Sequence, residues 1–167
     1  MRTTQEHMDK IITQDTLPNK LSQVKSRGKL VLVGGCFDIL HEGHILFLKK
    51  AKEQGDVILI LLESDKSIKK WKGSERPINT QKKRARILSE IECVDYILLL
   101  PELKKDLEYY DLVKKIEPDI IAVTSGDPAY NKKVEQAKMV GGKIVEVIDR
   151  LPQYSTTDLI RKKKELK

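Results

Sequence analysis

KLVLVGGCFDILHEGHILFLKKAKEQGDVILILL, residues 29–62, decides the fold. Residues 29–35 form a short apolar run with two valines that ends in two glycines, the pattern of a buried strand. Ile45, Leu46, Leu48 and Ala51 then recur at helical spacing, and Gly55 marks a helix stop. Residues 56–62 give a second apolar strand. The same alternation continues outward: a helix over 80–92, a strand over 94–100 closed by Pro101, and a helix over 107–116. A strand over 119–125, a helix over 134–140 ended by Gly141-Gly142, and a strand over 143–148 follow. A last helix over 155–164 is capped by Ser155 or Thr156.

Strands apolar on both faces, alternating with helices, predict an open, doubly wound α/β fold with a mainly parallel sheet. Such sheets bind ligands at the carboxyl ends of their strands, near the point where strand order reverses. Residues 1–27 read as an N-terminal helical extension interrupted by Pro18, with Leu21 and Val24 able to dock on a single domain over 28–167.

The chain has 167 residues and a formal charge of +7, which raises the question of nucleic acid. Its cations are scattered as Lys49-Lys50, Lys69-Lys70, Lys82 to Arg84, Lys132-Lys133 and Arg161 to Lys164. Trp71 is the one aromatic inside such a run, so a row of base-stacking platforms is missing and no nucleic-acid partner is expected. The longest apolar stretch, Val57 to Leu62, is too short to span a bilayer, so no membrane partner is expected. The start MRTTQEHMDK lacks a signal-type apolar run, and Cys36 and Cys93 show no metal-like spacing. Reduced thiols and a cytoplasmic home are the expectation.

The chemistry concentrates in residues 34–44, GGCFDILHEGH, between the first strand and its helix. Glycines there let backbone approach a phosphate, and a helix N-terminus offers free N–H groups to an anion. His41 and His44 fall on one side of the first turn, and Gly43 leaves room beside them. Zinc would need further ligands, and the third histidine of the chain is His7, so no metal site is assigned.

Residues 34–44 resemble the GxFDxxHxGH signature of the cytidylyltransferase-like nucleotidyltransferase superfamily. Residues 64–79 (SDKSIKKWKGSERPIN), Arg84, residues 92–100 (ECVDYILLL), residues 125–127 (SGD) and residues 154–160 (YSTTDLI) resemble the adenylyltransferase domain of bacterial heptose-1-phosphate enzymes. That resemblance runs from about Lys10 to Lys164.

It implies an enzyme moving AMP or CMP from an NTP to a phosphorylated small molecule, with pyrophosphate released and no covalent enzyme intermediate. ATP is favoured and CTP possible, with Mg²⁺ carried on the NTP. By the same resemblance His41, His44 and Lys72 are catalytic, and Arg76 meets the acceptor. Gly35, Cys36, Phe37, Asp38, Gly43, Arg84, Gly126, Asp127, Ser155, Thr156 and Thr157 hold the nucleotide. A homodimer is expected by analogy.

The heptose-type pattern has Lys-Gly-Gly-Asp-Tyr where this chain has Thr124-Ser125-Gly126-Asp127-Pro128. The acceptor therefore stays open between a sugar phosphate, FMN as in FAD synthase-type adenylyltransferases, and glycerol 3-phosphate as in related cytidylyltransferases. A non-catalytic nucleotide-binding regulator is the alternative from another class.

Overall fold

The computed structural model describes residues 3–149. Among these residues six parallel strands form one sheet: β1 (Ile11–Ile12), β2 (Leu30–Gly35), β3 (Val57–Leu62), β4 (Tyr96–Leu99), β5 (Ile120–Thr124) and β6 (Lys143–Ile148). Their order across the sheet is β1-β4-β3-β2-β5-β6. The chain winds from β2 outward through β3 to β4, then returns past β2 to lay down β5 and β6. Strand order therefore reverses between β2 and β5, and the loops leaving their carboxyl ends splay apart into a cleft.

Among the described residues seven helices flank the sheet: α1 (Thr4–Asp9), α2 (Leu17–Lys25), α3 (Glu42–Lys52), α4 (Asp65–Lys72), α5 (Gln81–Ser89), α6 (Asp106–Ile116) and α7 (Tyr130–Met139). Because successive strand residues point to opposite faces, each strand feeds two cores. Leu30, Leu32, Leu59, Leu61 and Leu98 meet Val24 of α2, Leu112, Val113 and Ile116 of α6, and Ala137 of α7. Val31, Val33, Ile58, Ile60 and Leu62 meet Phe47, Leu48 and Ala51 of α3 and Ala85 and Leu88 of α5. Burial on both faces is why these strands read as unbroken apolar runs.

Residues 1–27 were expected to be helical, and the structure adds a strand between two helices. Ile11 pairs with Ile97 and Ile12 with Leu98, so β1 extends the sheet past β4. A two-residue strand has no periodicity to read, which is why the sequence hid it. Pro18 does not interrupt a helix. It sits in the first turn of α2, where a missing N–H costs nothing. Val24 is fully buried and Leu21 packs beside it, as expected.

Helix α4 was also unforeseen. Ser64 caps its start by accepting from the Ser67 N–H, and Gly73, at φ +95°, ends it. Three lysines in its last turn complement the negative end of the helix dipole. The helix expected over 155–164 lies outside the described residues. Among the described residues no helix is long and apolar enough to cross a membrane.

Candidate active site

The loop from β2 to α3 is built around a buried carboxylate. Asp38 accepts from Arg76 Nε at 2.6 Å, from the Ile78 N–H at 2.8 Å and from the Asn79 N–H at 3.0 Å. Asn79 returns the contact, donating from Nδ2 to the Asp38 carbonyl at 2.9 Å. Burial by itself pushes the Asp38 carboxyl up, but the two backbone donors and Arg76 outweigh it and hold the group below the usual carboxylate range. Asp38 thus ties the segment 76–79 to the loop, and its oxygens are engaged by the protein itself.

A second clasp holds the other side. Arg84 of α5 is 1% exposed, and its guanidinium donates to the carbonyls of Cys36 (2.5 Å), Glu63 (2.8 Å) and Asn79 (3.0 Å), and to Asp65 Oδ1 (2.8 Å). A planar fork of five donors is the side chain suited to gathering several oxygens at once. The Arg84 donors expected to face a nucleotide are spent on protein oxygens. Its observed place is under the loops, not in the cleft.

The two glycines divide their work. A Cβ on Gly35 would lie 2.7 Å from the Phe37 ring, so the absent side chain admits that ring, while Phe37 itself adopts a left-handed φ of +45°. A Cβ on Gly34 would meet no heavy atom within 4 Å among the described residues. Gly34 is exposed and leaves backbone open to the cleft.

His41 is the N-cap of α3, in extended conformation at φ −141°, and the His44 N–H donates to its carbonyl at 3.0 Å. The imidazoles stack with centroids 3.8 Å apart, and Phe37 closes the other side of His44 at 5.2 Å. Burial, the neighbouring His41 and the Lys72 ammonium pull His44 down to about 4, and burial pulls His41 down as well. Both rings are therefore neutral at pH 7. His44 Nδ1 is buried with no hydrogen-bond partner among the described residues. Gly43 follows the cap in the first turn of the helix.

Lys72 ends α4 with its side chain exposed, and its charge is felt at both His44 and Cys36. The Cys36 thiol is pushed up by burial and stays protonated. Arg76 spends Nε on Asp38, while its Nη2 is buried without a partner among the described residues. Across the cleft, Gly126 turns at φ +71°, and Asp127 accepts from the Ala129 N–H and from Lys133, both at 2.7 Å. That is the side-chain-to-backbone turn expected of a Gly-Asp pair. Ser155, Thr156 and Thr157 lie outside the described residues. His7 is remote from the pair: its Nδ1 bonds the Ser89 carbonyl at 2.8 Å at the end of α5, by the opposite end of the sheet.

A family model described as cytidylyltransferase-like matches residues 32–162. The chain belongs to the cytidylyltransferase-like family. Membership makes it a nucleotidyltransferase. It is similar to the bifunctional protein HldE of Wolinella succinogenes, 40% identical over 158 residues that cover 94% of this chain and 32% of that protein. HldE of Helicobacter hepaticus is 42% identical over 151 residues, 90% of this chain and 30% of that protein. The chain spans about a third of the length of these curated relatives. Among solved structures, a lipopolysaccharide core biosynthesis protein from Thermoplasma volcanium matches with TM-score 0.57 and 26% identity, over 77% of this chain and 99% of that one. A pantoate-beta-alanine ligase from Francisella tularensis shares the fold, with TM-score 0.56 and 18% identity over 92% of this chain and 77% of that one.

Two side chains at the site had no part in the sequence reading. Glu63, directly after β3, is buried and accepts from the Tyr109 hydroxyl of α6. A charged residue directly after a buried parallel strand was a readable signal for Glu63, since such ends face ligands. Nothing in the sequence marked Tyr109, whose partner stands 46 positions away.

Proposed function

We propose that this cytidylyltransferase-like domain transfers a nucleoside monophosphate from an NTP, ATP in preference to CTP, to a sugar phosphate. The observation that carries the reading is the stacked, neutral His41–His44 pair at the open N-terminus of α3. An acceptor phosphate oxygen attacks the α-phosphorus, the bond to the β-phosphate oxygen breaks, and pyrophosphate leaves. The attacking oxygen is already ionised, so no general base is needed, and catalysis rests on positioning and on donors aimed at growing charge.

His41 and His44 supply N–H donors to the phosphates, and bound anions draw them toward their protonated form. Backbone of Gly35, Cys36, Phe37 and Gly43 lines the nucleotide, with Asp38 and Arg84 fixing that loop from behind. Lys72 reaches in as a point charge. Gly126 and Asp127 meet the nucleoside, Ser155 to Thr157 the outer phosphates, and the free end of the Arg76 fork the acceptor. Imidazole and amide donors suit phosphate oxygens, and no group of three His, Cys, Asp or Glu residues able to hold a metal converges among the described residues. Mg²⁺ enters with the NTP as part of the substrate, as the resemblance implies. The sugar phosphate as acceptor is supported by the heptose-type resemblance and by the similarity to a lipopolysaccharide core biosynthesis protein.

Pyrophosphate release tests the proposal, with ATP or CTP and Mg²⁺ against heptose 1-phosphate, other sugar 1-phosphates, glycerol 3-phosphate, phosphocholine and FMN. Release with one nucleotide and a sugar phosphate is expected. Turnover with FMN or glycerol 3-phosphate alone would replace the sugar, and nucleotide binding without any release would replace the enzyme with a regulator.

A further inference from the structure

Glu63 lies beside the phosphate loop, on the face of the sheet opposite α3. Its N–H donates to the Gly35 carbonyl at 3.2 Å, and its own carbonyl is held by Arg84. The residue is 8% exposed, yet its carboxylate has one donor among the described residues, the Tyr109 hydroxyl, shared at 3.1 and 3.0 Å between the two oxygens. A carboxylate offers about four acceptor positions, and a buried one with a single donor is short of partners. Strand alternation puts Gly34 on the same face as Leu32 and Leu61, the face α6 covers. The unfilled space over Gly34 is therefore on the side from which Glu63 and Tyr109 approach.

Burial pushes the Glu63 carboxyl up to about 7, with the Tyr109 hydrogen bond and the charges of Lys133 and Arg84 pulling the other way. Tyr109 is pushed far above its ordinary value, chiefly by burial and by Glu63, so it remains a donor. With the Tyr109 donor spent on Glu63, the pair presents carboxylate lone pairs and no free donor once pH rises past about 7 and Glu63 is ionised. Such a surface repels phosphate and accepts hydroxyl groups.

Building on the transferase reading above, we propose that Glu63, oriented by Tyr109, is a specificity residue that accepts two neighbouring hydroxyls of the acceptor's sugar. The two oxygens of a carboxylate suit a vicinal diol, each hydroxyl donating to one of them. The same chemistry could come from the ribose of the NTP, and separate arms of the experiment distinguish the two.

The test compares the wild type with Glu63→Gln and Tyr109→Phe in steady-state pyrophosphate release, varying NTP and acceptor separately. A charge-assisted hydrogen bond sets the scale, so Glu63→Gln raises acceptor KM roughly 10- to 100-fold, with NTP KM within about twofold. An acceptor lacking one hydroxyl of the diol loses a similar factor in the wild type and little more in Glu63→Gln. Acceptor affinity rises more steeply from pH 6 to 8 in the wild type than in Glu63→Gln, which keeps only the pH dependence of the acceptor phosphate. Unchanged acceptor KM in Glu63→Gln overturns the proposal. So does a rise in NTP KM accompanied by selective loss of discrimination against 2′- or 3′-deoxy-NTP, which would assign the pair to ribose. Absence of turnover with every acceptor would instead refute the transfer reaction. In that case saturation-transfer NMR of the same sugar phosphates decides: weaker binding to Glu63→Gln supports the site, and equal or absent binding to both proteins overturns it.

Discussion

Replacing Asp38 by alanine removes the acceptor for three donors at once: Arg76 Nε and the N–H groups of Ile78 and Asn79. The Asp38 side chain is 1% exposed and that of Arg76 9%, so the guanidinium left behind is a buried, uncompensated charge. Breaking such a pair from one side costs about 3–5 kcal/mol. For a domain of this size that lowers Tm by roughly 10 °C. Removing Arg76 is gentler, because Asp38 keeps both backbone donors. Arg76→Met is expected to cost about 1–3 kcal/mol. The double substitution should cost less than the two singles together, since each single orphans what the other removes. Urea denaturation of the four proteins at pH 7 measures these terms. The stabilisation from Asp38 holds above the usual carboxylate range and fades as pH falls through its lowered value. A cost below about 1 kcal/mol for Asp38→Ala, or strict additivity, would refute the account of the loop as anchored by this pair.

His41→Ala and His44→Ala should each lower kcat by about 10²–10³ with unfolding curves unchanged, if the imidazoles serve the transition state. Arg84→Met frees three carbonyls of three loops and should lower stability by about 3 kcal/mol or more while raising NTP KM, read by denaturation and steady-state kinetics. Gly35→Ala drives a methyl into the Phe37 ring and should cost about 1–3 kcal/mol in thermal denaturation, with activity falling as the loop shifts. Because the Glu63 carboxyl sits near 7 when folded, the native state holds its proton longer than the unfolded chain. The Glu63 contribution to stability should fall by an amount on the order of 3 kcal/mol as pH rises from about 4.5 to 7, against the opposite slope from His44. The stability difference between the wild type and Glu63→Gln should therefore change by that amount in denaturation series across pH.

The parallel sheet was legible because β2, β3 and β5 are buried on both faces and carry their burial in composition. The glycine and histidine run of residues 34–44 was legible because strand, loop and helix cap are contiguous there. β1 escaped, since two residues make no pattern, and so did α4, whose polar sequence is set by capping at Ser64 and Gly73. Arg84 and Asp38 were expected at the nucleotide, and their placement shows what one sequence cannot. A motif position says that a residue matters near a site, while the partner of its side chain depends on chain segments brought in by the fold. Asp38 finds residues 76–79 and Arg84 finds Cys36 and Glu63, pairings set by strand order and invisible to local spacing.

Three of the four groups held by Arg84 are main-chain oxygens. A clasp that grips backbone is indifferent to the side chains around it. Cys36 and Glu63 can thus be exchanged for other residues without loosening the frame that spaces β2, β3 and the segment before α5. On the specificity role proposed for Glu63, acceptor preference can change at that position while the Arg84 clasp keeps the loops in register. A library randomised at these positions over an intact Arg84 is accordingly expected to retain its fold far more often than its choice of acceptor.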